Sequence, residues 1–412
     1  MDIITSKLGS GIGYAFQRIS SSVAYCALSI KAGTRNEKDK YNGVAHLTEH
    51  MLFKGTTKRG AKRISNFLES LGGELNAYTT KEETVIHATV LKEDIRKAVE
   101  ILADLAFNSL FPEKELLKER EIVLEEISSY KDSPSEQIFD DFDEYLFGDH
   151  PLAKPILGTP SSVKKIGVEQ IKEFTNQHYQ PCNMTFSIVA DISNARGVSL
   201  VNRYFGESVM VEELGEVLSN TKLPVVSSFP TGEKWVSKKT YQGHCVIGAP
   251  TYNLFDSRRL PMALLTNILG GPAINSKLNQ TLREKHAMAY TVDASYTPYT
   301  DAGLFTIYFG TDKNNIEKCL SILDRELESI REKGFSEKAL KASKKQLLGQ
   351  LAIAMDNAES QCLSMGKSLL FYKKVEPIQE IREKILKINS AQLLEIAQEL
   401  LDRKNMFTLI YS

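Results

Sequence analysis

The chain has 412 residues, of which 42% are hydrophobic and 25% are charged, a composition typical of a globular protein with more than one domain. Its 51 basic and 52 acidic residues nearly cancel, which argues against nucleic acid or an anionic membrane surface as a partner. No apolar run approaches a membrane span, no secretory pattern opens the chain and the five cysteines form no CxxC pair, so we expect a cytoplasmic protein.

Strand-like segments and amphipathic helices occur together along the whole chain. The segments "VAYCALSIKAG", from Val23, and "GLFTIYFGT", from Gly303, have the composition of strands, and helices of ten to twenty residues lie before or after them. This mixture predicts α+β domains, each a mainly antiparallel sheet covered by helices.

The segment "VAHLTEHMLF", residues 44–53, contains an HxxEH motif. With about 100° per residue on a helix, His46, Glu49 and His50 share one face. Two imidazoles four residues apart can hold one ion, and HxxEH is the motif of the inverzincins. A catalytic zinc needs a third protein ligand and an open position for water. Since a short motif also arises by chance, the polar face of an ordinary helix stays an alternative.

A candidate for the third ligand lies on the helix "EKELLKEREIVLEEISSY", residues 113–130. Glu119 and Glu126 are seven residues apart on this helix and therefore share a face. An adjoining apolar face would dock the helix into the core; its residues are Leu116, Leu117, Leu124 and Ile127. Charged stripes of this kind are usually solvated, so periodicity alone does not identify a ligand.

The chain contains an internal repeat. "FPEKELLKEREIVLEEI", from Phe111, aligns with "FSEKALKASKKQLLGQL", from Phe335, and a helix followed by a strand beginning "NM" closes each half. The repeat predicts two homologous domains, residues 1–210 and 235–412. Residues 211–234 contain Pro, Gly and Ser without a sustained period and are predicted to be a linker.

The two copies differ at the positions that concern a metal. Ser343 and Gln350 occupy the positions of Glu119 and Glu126, and the segment in place of the HxxEH helix has no histidine. The sequence therefore predicts a metal site in the N-terminal domain alone, with the C-terminal domain in a different role.

The HxxEH motif with a glutamate 76 residues beyond His50 resembles the M16 metallopeptidases, the family of pitrilysin, insulinase and mitochondrial processing peptidase. The segments "AGTRNE", "MLFKGT", "GGELNAYTTKEET" and "GDHPLAKPILGT" are also similar to family segments. Among the members of the family, the chain looks most like the short bacterial ones. The resemblance implies a LuxS/MPP-like metallohydrolase fold. It also implies one zinc ion per chain, held by His46, His50 and Glu126, with Glu49 as general base and Glu119 as support for a ligand.

Further residues follow from the same resemblance. "LREKHAMAY" is similar to a family segment whose arginine and tyrosine, here Arg283 and Tyr290, act at the active site from the opposite half of a clamshell. Because this chain supplies two domains, the resemblance implies a homodimer with these two residues acting across the interface. The strand formed by Asn76, Ala77, Tyr78 and Thr79 would be an edge that pairs with an extended peptide.

We therefore expect a zinc-dependent endopeptidase that hydrolyses unfolded peptides or oligopeptides inside a clamshell chamber. The alternatives are a non-catalytic M16-like subunit that binds peptides or has a structural role, and a metal-dependent hydrolase of another substrate. Three departures from the family pattern, Thr48, Pro272 and Lys277, concern substrate preference more than chemistry.

Overall fold

The computed structural model of this protein describes residues 3–206 and 229–412, which form two compact units. The described residues of the first unit lie within Met1–Ser128, Lys154–Thr221 and Ile353–Pro377. Those of the second unit lie within Ser129–Ala153, Lys222–Ala352 and Ile378–Ser412. Each half of the sequence thus gives one segment to the unit that the other half mainly forms.

The first unit is built on a six-stranded sheet. Its strands are β1 Ile3–Lys7, β2 Gly13–Arg18, β3 Val23–Ile30, β4 Glu74–Thr79, β5 Thr84–Leu91 and β6 Met184–Ala190. They lie in the order β1-β2-β6-β3-β5-β4, and β2 with β6 is the one parallel pair. All seven residues of β6 are buried, as expected for a central strand whose two faces are both covered. Strand β4 is at the edge of the sheet.

Eight α-helices occur between residues 44 and 205. They are α1 Val44–Leu52, α2 Ala61–Glu69, α3 Ile95–Asn108, α4 Glu113–Lys131, α5 Pro134–Phe147, α6 Pro160–Val163, α7 Val168–His178 and α8 Asn194–Phe205. Leu47 of α1 and Leu102 of α3 are fully buried in one apolar core together with Leu28 and Phe186 of the sheet. This core covers one face of the sheet and fixes the position of α1.

The second unit is built on a five-stranded sheet. Its strands are β7 Gly232–Val236, β8 Gln242–Thr251, β9 Ala289–Pro298, β10 Gly303–Asp312 and β11 Phe407–Tyr411. The α-helices described after residue 229 are α9 Arg259–Gly270, α10 Ile316–Lys333, α11 Glu337–Asp356, α12 Ala358–Tyr372, α13 Ile378–Lys387 and α14 Ser390–Leu400, and a π-helix spans Asn279–Lys285.

The second sheet repeats the plan of the first. Its order, β7-β11-β8-β10-β9, matches β2-β6-β3-β5-β4 strand for strand, and in both sheets the one parallel pair lies at the same place. Helix α9 lies between β8 and β9 in the chain, as α1 lies between β3 and β4. The predicted α+β fold with two homologous domains is confirmed.

The compact units differ from the predicted division of the sequence. Each half of the sequence contains one helix that packs on the sheet formed by the other half. Helix α12 belongs to the first unit, where Cys362, Met365 and Leu369 cover an apolar patch of the sheet that includes Ala27 and Val189. Gly366 allows this close approach, since a Cβ there would lie 2.7 Å from Ser29 Oγ. Helix α5 correspondingly belongs to the second unit.

The predicted linker at 211–234 is only partly covered by the structure. Residues 211–228 lie outside the described residues, and Gly232 to Lys234 are not linker but the start of β7. The linker assignment of these three residues is wrong because β7 pairs in parallel with β11, a long-range contact that leaves no local pattern. None of the described helices has both the length and the apolar character needed to cross a membrane.

Candidate metal centre

Helix α1 turns its apolar residues inward and its histidines outward. The buried residues of this helix include Val44, Leu47, Met51 and Leu52. His46, Glu49 and His50 lie on the opposite, partly exposed face. Thr48 is fully buried at a position where an apolar residue is expected, and its hydroxyl donates to the Val44 carbonyl (2.6 Å), so no polar group is left unpaired.

The N-terminus of α1 is capped by a residue outside the helix. Gly43 precedes the helix with φ of 95° and supplies no side chain, whereas Glu37 approaches from the preceding loop. The Ala45 N–H donates to Glu37 Oε1 (2.8 Å), and the Gly43 N–H donates to Oε2 (2.9 Å). Burial raises the pKa of Glu37 to about 7. A carboxylate at this end of the helix satisfies free amides and fixes the first turn beside His46.

His46, His50 and Glu126 converge in the first unit. His46 Nε2 lies 3.9 Å from Glu126 Oε2, and His50 Nε2 lies 3.7 Å from Glu126 Oε1. One possible ligand atom from each residue lies within 4.8 Å of the others. Across residues 3–206 and 229–412, no other group of His, Cys, Asp and Glu meets the same criterion. Glu126 stands seven residues after Glu119 on α4, so the helix brings both carboxylates to α1.

Glu119 contacts the second ring nitrogen of His50 and is not one of the three residues that converge. His50 Nδ1 is 3.1 Å from Glu119 Oε2, and Lys54 Nζ is 2.7 Å from Glu119 Oε1. Because a carboxylate only accepts, Nδ1 carries the proton and Nε2 presents its lone pair toward Glu126. Lys54 gives the buried Glu119 carboxylate a counter-charge.

Glu49 is held by the edge strand. Thr79 Oγ1 donates to Glu49 Oε2 at 2.6 Å, and no hydrogen bond to Oε1 is present among the described residues. Burial raises the pKa of Glu49, and the Thr79 hydrogen bond opposes this change. One carboxylate oxygen therefore stays available for a proton.

The donor set fits a zinc ion. Burial lowers the pKa of His46 to about 4, so its imidazole is neutral at physiological pH and can act as a ligand. Glu126 Oε2 is a buried oxygen without a hydrogen-bond partner among the residues that the structure covers, and a cation would satisfy it. Two imidazoles and one carboxylate are the donor set of many catalytic zinc sites, which keep a fourth position for water.

The predicted substrate strand is the edge strand β4. Ala77 packs toward the main core of the first unit, whereas Tyr78 packs against the patch beneath α12. Asn76 is exposed and lies opposite His87 of β5. The Thr79 hydroxyl donates to Glu49, so this side chain is itself part of the candidate site.

Arg283 and Tyr290 belong to the second unit. Arg283 lies on the π-helix with about half of its side chain exposed (49%), and its nearest acidic partner is Glu284 at 3.9 Å. Tyr290 lies near the start of the edge strand β9, is 55% exposed, and donates to Asp312 Oδ1 (3.0 Å). The exposure of both side chains makes them accessible to another molecule.

Comparison with known proteins identifies the family. A family profile described as insulinase (peptidase family M16) matches residues 15–160, and one described as peptidase M16 inactive domain matches residues 165–347. A Bacillus subtilis protein named "uncharacterized zinc protease YmxG" is 31% identical over 381 residues, which cover 92% of this chain and 91% of that protein. This chain belongs to peptidase family M16.

Other M16 relatives agree with this assignment. A Rickettsia felis protein named "uncharacterized zinc protease" is 32% identical over 373 residues, 90% of this chain and 88% of that protein. A crystal structure described as peptidase M16 inactive domain from Pseudomonas fluorescens superimposes with a TM-score of 0.91 at 19% identity, covering 100% of this chain and 98% of that chain. The sequences confirm the predicted family, and the superposition confirms the fold.

Two contributors to the site were not predicted as such. Glu37 and Lys54 lie within "AGTRNE" and "MLFKGT", segments that were recognised only as similar to the family. Their roles depend on contacts with the helix N-terminus and with Glu119, which no spacing within either segment indicates.

Proposed function

We propose that this M16 protein is a zinc-dependent endopeptidase that hydrolyses peptide bonds of unfolded peptides. The observation that carries the proposal is the convergence of His46, His50 and Glu126, with Glu49 adjacent on the same helix. The naming of its relatives as zinc proteases supports a metalloprotease at the level of the family.

The chemistry divides among a few side chains. When bound by His46, His50 and Glu126, zinc would supply Lewis-acid activation of water and polarisation of the scissile carbonyl. Glu49 takes a proton from the attacking water at Oε1, since Oε2 accepts from Thr79, and later returns the proton to the leaving amine. Glu119 keeps the proton on His50 Nδ1 and thus fixes the orientation of that ring.

The substrate we propose is an extended peptide. The edge strand β4 has a neighbour, β5, on one side. A peptide could add to its other side through main-chain hydrogen bonds, which are indifferent to sequence. Thr79 at the end of this strand touches Glu49, so a peptide on β4 would lie beside the general base.

We also propose a homodimer in which Arg283 and Tyr290 of one subunit act on the substrate held by the other. A phenol and a guanidinium are suitable donors for a developing oxyanion or a substrate backbone. Mixed dimers of Glu49→Gln and Arg283→Ala subunits, each inactive alone, should recover part of the activity because one composite site stays intact. Absence of recovery in dimers shown to be mixed would contradict the arrangement.

The function is tested with zinc-loaded protein and unstructured peptides of about 10 to 40 residues, with products identified by mass spectrometry. We expect internal cleavage by the wild type and none by Glu49→Gln that still holds one zinc per chain, since general-base catalysis contributes about a hundredfold or more. Bound zinc without cleavage would favour a non-catalytic peptide-binding subunit or a hydrolase of another substrate.

A further inference from the structure

The hydroxyl of Thr79 provides the only hydrogen bond to the Glu49 carboxylate among the described residues. A threonine hydroxyl has one proton to donate. Two acceptors lie nearby, Glu49 Oε2 at 2.6 Å and Thr84 Oγ1 at 3.4 Å. Because a carboxylate only accepts and is the nearer of the two, Glu49 takes the proton of Thr79. Thr84 gives its own proton to the Ala32 carbonyl (2.8 Å).

The strand determines the direction of this hydroxyl. Successive side chains of a strand point to opposite faces. Leu75 and Ala77 of β4 pack toward the core that contains α1, so Thr79, two residues further along, faces the same side. Tyr78 points to the other face, against the patch beneath α12. Thr79 therefore reaches Glu49 because of its place in the strand.

Glu49 requires a partner of this kind to keep a defined position. The torsion that turns a glutamate carboxylate has a broad energy profile, so packing of α1 alone does not fix its plane. A general base must lie within hydrogen-bond reach of the proton that it removes. A charge-assisted hydrogen bond to one oxygen sets the plane and leaves the second oxygen for the proton.

We propose that Thr79 is a positioning residue that fixes the Glu49 carboxylate and couples it to the strand on which the substrate lies. This inference rests on the proposed endopeptidase function and adds to it, because Thr79 then acts through Glu49 and not through a contact with the peptide side chains. Strand β4 would then align both the substrate and the general base.

The test compares Thr79→Val, which keeps the shape without the hydroxyl, with Thr79→Ser, which keeps the hydroxyl. Thr89→Val on β5 is the matched control, since its hydroxyl contacts Glu359 at 3.5 Å and not Glu49. We expect Thr79→Val to lower kcat about tenfold to a hundredfold with KM and zinc content little changed, as for partial loss of general-base catalysis. Thr79→Ser should regain most of kcat, and Thr89→Val should match the wild type.

Two kinetic results would overturn the proposal. An unchanged kcat in zinc-loaded Thr79→Val would mean that the hydrogen bond has no catalytic consequence. A raised KM with unchanged kcat would instead make Thr79 a substrate contact.

A second measurement does not depend on proteolysis. Crystal structures of the zinc-loaded wild type, Thr79→Val and Thr79→Ser would show whether the Glu49 carboxylate moves or loses order only in the valine variant. This result is expected even if the wild type cleaves no peptide, in which case the endopeptidase proposal alone fails. An unmoved Glu49 in Thr79→Val would refute the positioning role.

Discussion

Glu126 is the residue on which the metal proposal depends most. Its carboxylate faces both histidines, and one of its oxygens is buried without a hydrogen-bond partner in the part of the chain that the structure covers. Glu126→Gln keeps the size of the side chain but removes the charge that holds a cation. We expect zinc to bind about a hundredfold more weakly or worse, beyond the loss typical of residues that only support a ligand.

Competition with a chromophoric chelator would measure this loss. Glu125→Gln is the matched control, because Glu125 is the exposed neighbour of Glu126 on α4 and does not approach the histidines. Equal zinc affinity of the Glu126 variant and its control would remove Glu126 from the ligand set.

His178 gives the fold a dependence on pH that is separate from the metal. This side chain is 3% exposed and lies beside the ring of Phe174, and burial lowers its pKa to about 4. Between pH 6.5 and 4 the unfolded chain binds a proton that the folded chain excludes, so the free energy of unfolding falls as the pH falls through this range.

The effect of His178 can be isolated in zinc-free protein. From about pH 7 to about pH 4.5, His178→Gln should lose less stability than the wild type, by about 2 kcal/mol. Urea denaturation at the two pH values measures the difference. Parallel losses in the two proteins would show that His178 titrates like an exposed histidine.

At the scale of elements, helix α1 depends on a cap from outside its own sequence. Glu37 accepts from the Gly43 and Ala45 amides and is itself buried. Glu37→Ala leaves these donors without partners, so we expect a loss of about 2 kcal/mol in the free energy of unfolding of the zinc-free protein. Glu115→Ala, at a partly exposed acidic residue in the first turn of α4, should change it little.

Denaturant titration of the three proteins would decide this prediction. A loss for Glu37→Ala no larger than that for Glu115→Ala would mean that solvent replaces the cap without cost.

The elements that the sequence predicted are those with a local period. The HxxEH helix has its histidines and apolar residues at helical spacing, and β4 was expected around Asn76 to Thr79, where the structure has a strand. Periodicity could not select Glu126 over Glu119, since the two share one face of α4, and only the family spacing distinguished them. The contact of Lys54 with Glu119 joins residues far apart in sequence, which no local pattern predicts. The cap from Glu37 spans only six to eight residues, but it depends on the path of the loop before α1, which has no period to read.

At the scale of the whole molecule, the two halves of the sequence repeat do not have the same boundaries as the two compact units. Phe142 and Leu146 of α5 are buried in the second unit, and Met365 of α12 is buried in the first. The repeat revealed two related halves, but which sheet a helix covers depends on long-range packing that periodicity does not record. Neither half alone therefore contains all the residues that bury its sheet.

This exchange predicts how separated halves behave. Residues 1–210 expressed alone should aggregate, because the patch around Ala27, Val85 and Val189 lacks α12. Co-expression with residues 229–412 should recover a soluble complex, which size-exclusion chromatography would detect. A folded, monomeric 1–210 fragment would show that α12 is dispensable for the first sheet.

The long stretch of sequence between the first sheet and α12 also bears on biosynthesis. After β6, the last described strand of the first sheet, ends at Ala190, 182 further residues must be made before α12 is complete at Tyr372. At the usual rate of translation this takes on the order of ten to thirty seconds. During that interval the nascent chain holds an apolar sheet face without its cover, so we expect ribosome-associated chaperones to engage this protein until translation of α12 ends.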